Sequence, residues 1–167
     1  MFAEITLTQT ALVIAAGGAS ALAVTLVVHL LLRRRVPGAR GIARVMRMIE
    51  PGQSAFRIMD ARTERDLYVS PACDDLWGFA AGEGADPESR FRRVHPDDLE
   101  RVRQAREDIR RRGQAECTFR ITLPDGRERW IRDSMWTIND RRGRPRCYAG
   151  AYTDVTEASR MQAALAE

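Results

Sequence analysis

The chain has 167 residues and a formal charge of +4, from 27 basic residues that are all arginine and 23 acidic ones. That length holds one ordinary domain with an appendage and excludes two full domains. Acids and bases interleave along most of the chain, which argues against a nucleic-acid surface, since such a surface gathers its basic residues on one face.

Residues 1–10 contain Glu4 and no basic residue, and read as a short tail. Residues 11–32, ALVIAAGGASALAVTLVVHLLL, carry no formal charge. At about 1.5 Å per residue the run matches a hydrocarbon core of roughly 30 Å, so it is predicted to span a membrane once. Arg33, Arg34, Arg35, Arg40, Arg44 and Arg47 follow it closely. The positive-inside rule then places the N-terminus outside the cell inner membrane and everything after Arg33 in the cytoplasm. A cleaved signal peptide would need a basic n-region, and the apolar run continues past the candidate site Ala21-Leu22-Ala23. Ala15, Ala19 and Ala23 recur every fourth residue beside Gly18. They either form a face for close approach of a second helix or simply fill a single span. His29, near the cytoplasmic end, reads as an interfacial side chain.

Residues 33–52 form a basic juxtamembrane linker and a short amphipathic helix. Val36-Pro37-Gly38 breaks the preceding helix, then Ile42, Val45, Met46 and Ile49 repeat at helical spacing with Arg40, Arg44 and Arg47 opposite, up to Pro51-Gly52. This stripe suits an anionic membrane surface or packing on the following domain or a second copy, and methionine and isoleucine without aromatics favour packing.

Two short strands are predicted next, Ser54–Ala61 and Asp66–Ser70, followed by a brief helix from Pro71 through Trp77 closed by Gly78. The stretch ADPESRFRRVHPDDLERVRQAREDIRRRG reads as helix in two pieces divided at His95-Pro96, because a residue before proline is steered out of the α region. Asp97, Asp98 and Glu100 suit the dipole at the start of the second piece, Arg110–Arg112 and Gly113 suit its end, and Leu99, Val102, Ala105 and Ile109 form its buried stripe. Three strands follow. Cys117, Phe119, Ile121 and Leu123 alternate with polar residues, Asp125-Gly126 makes a hairpin turn, Arg127 to Asn139 is a long second strand, and the last runs from Arg144 to Val155. The fold class is α+β, with one antiparallel sheet and short helices. Cys73, Cys117 and Cys147 form no CxxC pair and have no histidine at zinc spacing, so reduced structural thiols are expected and no metal site.

From about Gln53 to Glu157 these motifs resemble PAS sensor domains. YVSPACDDLWGF looks like the family's strand-to-helix entry, RRVHPDDLERV its histidine-proline-acid segment, LPDGRERWI its hairpin with tryptophan, and GAYTDVTE its closing strand with an Asp-x-Thr signature. The resemblance implies a five-stranded sheet with a ligand pocket between its inner face and the short helices. Phe91, Phe119, Ile121, Ile131, Asp133, Met135 and Tyr152 are the pocket candidates. It also implies signalling through flanking helices, with Asp154, Thr156 and Glu157 as relay residues. Asp154 is expected to cap the final helix, and Glu157 to complete a capping box. Residues 158–167 form a helix stub whose apolar stripe, Ala158, Met161 and Leu165, is too short to be stable alone. A partner chain completes it, or the chain is a sensor half without its effector.

Flavin photochemistry of the LOV type would require a cysteine within Asn-Cys-Arg-Phe, which is not present, and haem would require an axial ligand. His95 precedes Pro96 at a helix start, where capping is the plainer role. No catalytic apparatus is visible, so enzyme chemistry is not expected. On the long strand, Ile131, Asp133 and Met135 share one face, and the resemblance turns it inward. Asp133 then either recognises a polar ligand or is satisfied by a pocket arginine or tyrosine. The opposite set, Trp130 and Trp136 with Ala149 and Ala151 on the neighbouring strand, is too apolar for water and is expected to pack on the Ile42–Ile49 helix or on a partner in a homodimer. The sequence thus reads as a membrane-anchored cytoplasmic sensor or relay, serving a separate histidine kinase or diguanylate cyclase. The alternatives are a ligand-free scaffold and a detached input half of such an enzyme.

Overall fold

The computed structural model describes residues 55–80, 87–140 and 142–165. The segments read as a transmembrane span and an amphipathic helix lie outside them, and no helix of the described residues is long and apolar enough to cross a membrane. Ten elements follow one another: β1 (Ala55–Asp60), β2 (Asp66–Val69), α1 (Ala72–Trp77), α2 (Pro87–Arg92), a 3-10 turn (Pro96–Asp98), α3 (Leu99–Arg112), β3 (Gln114–Thr122), β4 (Glu128–Asn139), β5 (Pro145–Asp154) and α4 (Thr156–Ala164). The strands form one antiparallel five-stranded sheet in the order β2-β1-β5-β4-β3. β5, the last strand in sequence, thus lies at the centre and joins the first strands to the β3–β4 hairpin.

The alternating residues of β3, Cys117, Phe119 and Ile121, are buried as their spacing predicts. They pack with Ile131 of β4, Trp77 of α1 and the Val102, Ala105 and Ile109 stripe of α3 in one core. Each large apolar side chain so withdrawn contributes about 1.5–3 kcal/mol. The opposite face carries Phe56, Ile58, Ile138, Cys147 and Ala149, also buried but outside that core cluster. β1 therefore has apolar residues on both faces. Trp130, Trp136 and Ala151 on the outer face are half-buried.

One sequence expectation needs correction. Pro96 opens a 3-10 turn rather than the α-helix, which starts at Leu99. Asp98 stands at the start of α3 but makes no capping bond. Its carboxylate is buried and accepts from Arg120, through the backbone N at 2.8 Å and Nε at 2.9 Å, and from Arg101 Nη2 at 3.1 Å. Asp98 thus ties the start of the helix to the sheet, and Asp97, Asp98 and Glu100 stand in the first turns as their charge predicts.

Gly78 ends α1 with φ +67°, and a Cβ there would stand 2.9 Å from Pro124 Cδ and 3.1 Å from Leu123 Cδ2. Gly78→Ala combines a left-handed backbone with this clash. Denaturant unfolding is expected to show a loss of more than about 1 kcal/mol.

Candidate functional site: a polar cluster behind the sheet

The sheet register brings buried charge to the middle of the inner face. Arg57 on β1 lies opposite Gly150 on β5, Gly150 lies opposite Met135 on β4, and Asp133 lies opposite Tyr152. The Arg57 side chain crosses β5 and places Nη2 3.1 Å from Asp133 Oδ2 and 3.2 Å from Met135 Sδ. Gly150 makes the crossing possible, since a Cβ there would sit 3.1 Å from Arg57 Nε and 3.3 Å from Asp133 Oδ1. Arg57 also stacks on Tyr152 at 5.2 Å. A second buried pair, Arg90 with Asp66, joins α2 to β2.

Burial pushes the Asp133 carboxyl above the ordinary carboxylate range against the pull of Arg57, because only Oδ2 receives a donor. The Arg57 guanidinium remains charged, since the attraction of Asp133 opposes the cost of its burial. Burial likewise pushes the Cys73 thiol up to about 11 and Cys117 up to about 12, so both stay protonated and poorly nucleophilic.

Beside the Arg57–Asp133 pair lies a cavity of about 20 Å³, room for about one water molecule. Its lining includes Arg57, Trp77, Arg90, Phe91, Val94, Val102, Arg106, Cys117, Phe119, Asp133, Met135 and Tyr152. Trp77 packs edge-on against Tyr152 at 5.4 Å and tilted against Phe119 at 6.0 Å. Of the candidates named from sequence, Phe91, Phe119, Asp133, Met135 and Tyr152 stand in this wall. Ile121 and Ile131 are wholly buried in the core and are not part of the lining. Sequence reasoning missed Arg57, Trp77, Arg90 and Arg106. Alternation with Phe56 and Ile58 gave no signal for Arg57, because those two apolar residues lie on the opposite face. His95 is also outside the lining: its Nδ1 accepts from Asp97 N at 3.2 Å, and its Nε2 lies 3.5 Å from Glu128 Oε1. Among the described residues no group of His, Cys, Asp or Glu is placed to hold a metal ion.

From the same end of α1 that carries Trp77, a hydrogen-bonded chain leads to α4. Arg129 Nη1 donates to the carbonyls of Asp75, at 3.1 Å, and Leu76, and Arg129 Nε lies 3.1 Å from Asp154 Oδ2. Asp154 Oδ1 accepts from Thr156 N at 2.9 Å and Thr156 Oγ1 at 2.6 Å, and Thr156 Oγ1 accepts from Trp130 N at 2.9 Å. The expected capping box is not formed. Asp154 is still within the sheet ladder, paired with Ile131, so the cap position falls to Val155, which makes no side-chain bond, and Glu157 is exposed.

A five-stranded antiparallel sheet with short helices on one face is the arrangement the PAS resemblance implied. The PAS fold family matches residues 66–152, more than half the chain. The chain belongs to the PAS fold family. This PAS domain is similar to the two-component sensor PprA of Pseudomonas aeruginosa, 29% identical over 100 residues, which is 60% of this chain and 11% of that protein. It is 30% identical over 100 residues to the sensor protein FixL of Bradyrhizobium diazoefficiens, covering 59% of this chain and 20% of that one. The chain thus spans a small part of the length of either relative. Among solved structures, it resembles the N-terminal domain of a diguanylate cyclase with PAS/PAC sensor from Marinobacter aquaeolei. The TM-score is 0.58 and the identity 24%, over 64% of this chain and 98% of that one. A sensory box histidine kinase/response regulator from Burkholderia thailandensis gives a TM-score of 0.58 at 23% identity, over 73% and 92% of the two chains. At these identities the structural likeness concerns the fold. A PAS fold is a sensory domain rather than a catalytic one, and the described residues show no catalytic constellation.

Proposed function

We propose that this chain is a membrane-anchored PAS module, cytoplasmic and without catalytic activity of its own, that senses a small ligand and passes the signal through its flanking helices. The observation that carries the reading is the continuity from cavity to terminal helix. Trp77 lines the cavity, the carbonyls just before it hold Arg129, and Arg129 holds the strand end from which α4 starts. A displacement of Trp77 therefore moves a charged clamp on Asp154.

Anchoring rests on the charge-free run of residues 11–32 and the arginines after it, which orient the domain to the cytoplasm of a single-pass inner-membrane protein. The recipient of the signal is a second copy of the chain together with a separate histidine kinase or diguanylate cyclase. Exposed Met161 and Leu165 on α4 suit helix pairing. The outer-face set Trp130, Trp136, Ala149 and Ala151 is assigned to packing, and the Ile42, Val45 and Ile49 stripe has the matching chemistry.

Native mass spectrometry of the full chain, released from detergent, tests the sensing role. Retained mass that is lost on denaturation is the expected result. Protein without bound small molecules, running as a dimer, would favour a ligand-free scaffold, for which the small volume of the cavity speaks.

A further inference from the structure

Three guanidinium groups line the cavity and two carboxylates answer them. Arg57 is paired with Asp133 and Arg90 with Asp66. Arg106 makes no ion pair among the described residues and lies over the Phe91 ring at 5.1 Å. Burial and the nearby Arg57 charge lower its proton affinity, as expected where positive charge is in excess. Two residues of the same wall each hold a buried polar atom with no hydrogen-bond partner: Asp133, its acceptor Oδ1, and Trp77, its donor Nε1. Such atoms are rare because leaving them unmet is costly. An uncompensated cation, an unmet donor and an unmet acceptor together describe the complement of a ligand.

We propose that the cavity binds a small singly charged carboxylate that carries its own hydroxyl, bicarbonate being the smallest such anion and glycolate the next. Its carboxylate oxygens accept from Arg106 and Trp77 Nε1, and its hydroxyl donates to Asp133 Oδ1. The single charge balances the unpaired guanidinium. An anion without a hydroxyl sets lone pairs against Asp133 Oδ1, and a neutral alcohol leaves Arg106 uncompensated. The present volume admits about one water molecule, so entry requires the half-buried Arg106 side chain to swing from Phe91.

This assignment rests on the sensing role, and the test separates the two. Isothermal titration and thermal unfolding of the full chain in detergent would compare bicarbonate, glycolate, acetate and ethylene glycol. Saturable binding of bicarbonate or glycolate is expected, at least about tenfold tighter than acetate, with none for ethylene glycol. The stronger of the first two ligands says whether inorganic carbon or an organic acid is the source. Arg106→Gln should weaken binding by at least about tenfold while the unliganded unfolding temperature stays unchanged, because that partly exposed side chain makes no ion pair among the described residues. Trp77→Phe should weaken it severalfold. Acetate binding as tightly as glycolate, insensitivity to Arg106→Gln, or no saturable binding of any of the four would overturn the proposal. If native mass spectrometry then finds an uncharged molecule in place, the ligand class is wrong and the sensing role stands. If it finds nothing, both fall.

Discussion

Asp133→Ala is expected to lower the unfolding free energy by about 3–5 kcal/mol, because it strands the Arg57 guanidinium in the interior without its partner. Both side chains are only 6% exposed, so water offers little relief. The magnitude distinguishes breaking the pair from removing it. Arg57→Met combined with Asp133→Leu deletes both charges and fills the space, and is expected to recover most of the loss, since apolar replacement of a buried pair is often neutral. Urea unfolding of the two variants at neutral pH decides the matter. Equal destabilisation of single and double variants would show that packing across Gly150, and not the unpaired charge, dominates.

Asp98→Ala is expected to cost about 1.5–3 kcal/mol, the range for hydrogen bonds to a charged group. The value is smaller than for Asp133 because Arg120 and Arg101 are 23% and 52% exposed and regain water when released. The two carboxylates also respond oppositely to pH. Burial acts against ionised Asp98, but the hydrogen bonds and charge of Arg120 outweigh it and hold its carboxyl below the ordinary 3.8. Its contribution to stability is therefore present above pH 3.8 and lost as pH falls through the folded value. Asp133, raised by burial, binds its proton more readily when folded. The stability gained from that proton uptake is full below 3.8 and lost as pH rises through its folded value, which leaves the Arg57 pairing to act at neutral pH. Asp98→Asn should accordingly flatten the acid limb of a stability-against-pH curve, whereas Asp133→Asn should not. A shared acid limb in wild type and Asp98→Asn would contradict the assignment.

Much of this architecture was legible because it depends on periodicity and on backbone chemistry. The alternation of Cys117, Phe119 and Ile121 gave the inner face of β3, Gly78 and Gly113 marked helix ends, and His95-Pro96 marked the break before α3. Alternation on β4 grouped Asp133 with Ile131 and Met135, and the PAS resemblance turned that group inward. The partners of buried charge were harder to read. Arg57 sits between Phe56 and Ile58, and a strand with apolar residues on both sides does not say which face is the core. Arg90 and Asp66 look like ordinary surface charges, and only the fold brings α2 against β2. Asp154 does accept from Thr156 N at the start of α4, but the box with Glu157 that local spacing suggested is not formed, because Asp154 is still paired with Ile131 across the sheet, a non-local fact.

The central claim is that the cavity and α4 are coupled through Arg129. Hydrogen–deuterium exchange of the amides from Thr156 to Ser159 tests it most directly, in the full chain as wild type, Trp77→Phe, Arg129→Gln and the double variant. Trp77→Phe removes part of the ring that lines the cavity, and should change exchange at the start of α4. Arg129→Gln should speed that exchange by releasing Asp154. In the double variant the Trp77 substitution should have no added effect. Unaltered α4 exchange in Trp77→Phe, or an identical Trp77 effect with and without Arg129, would contradict the account.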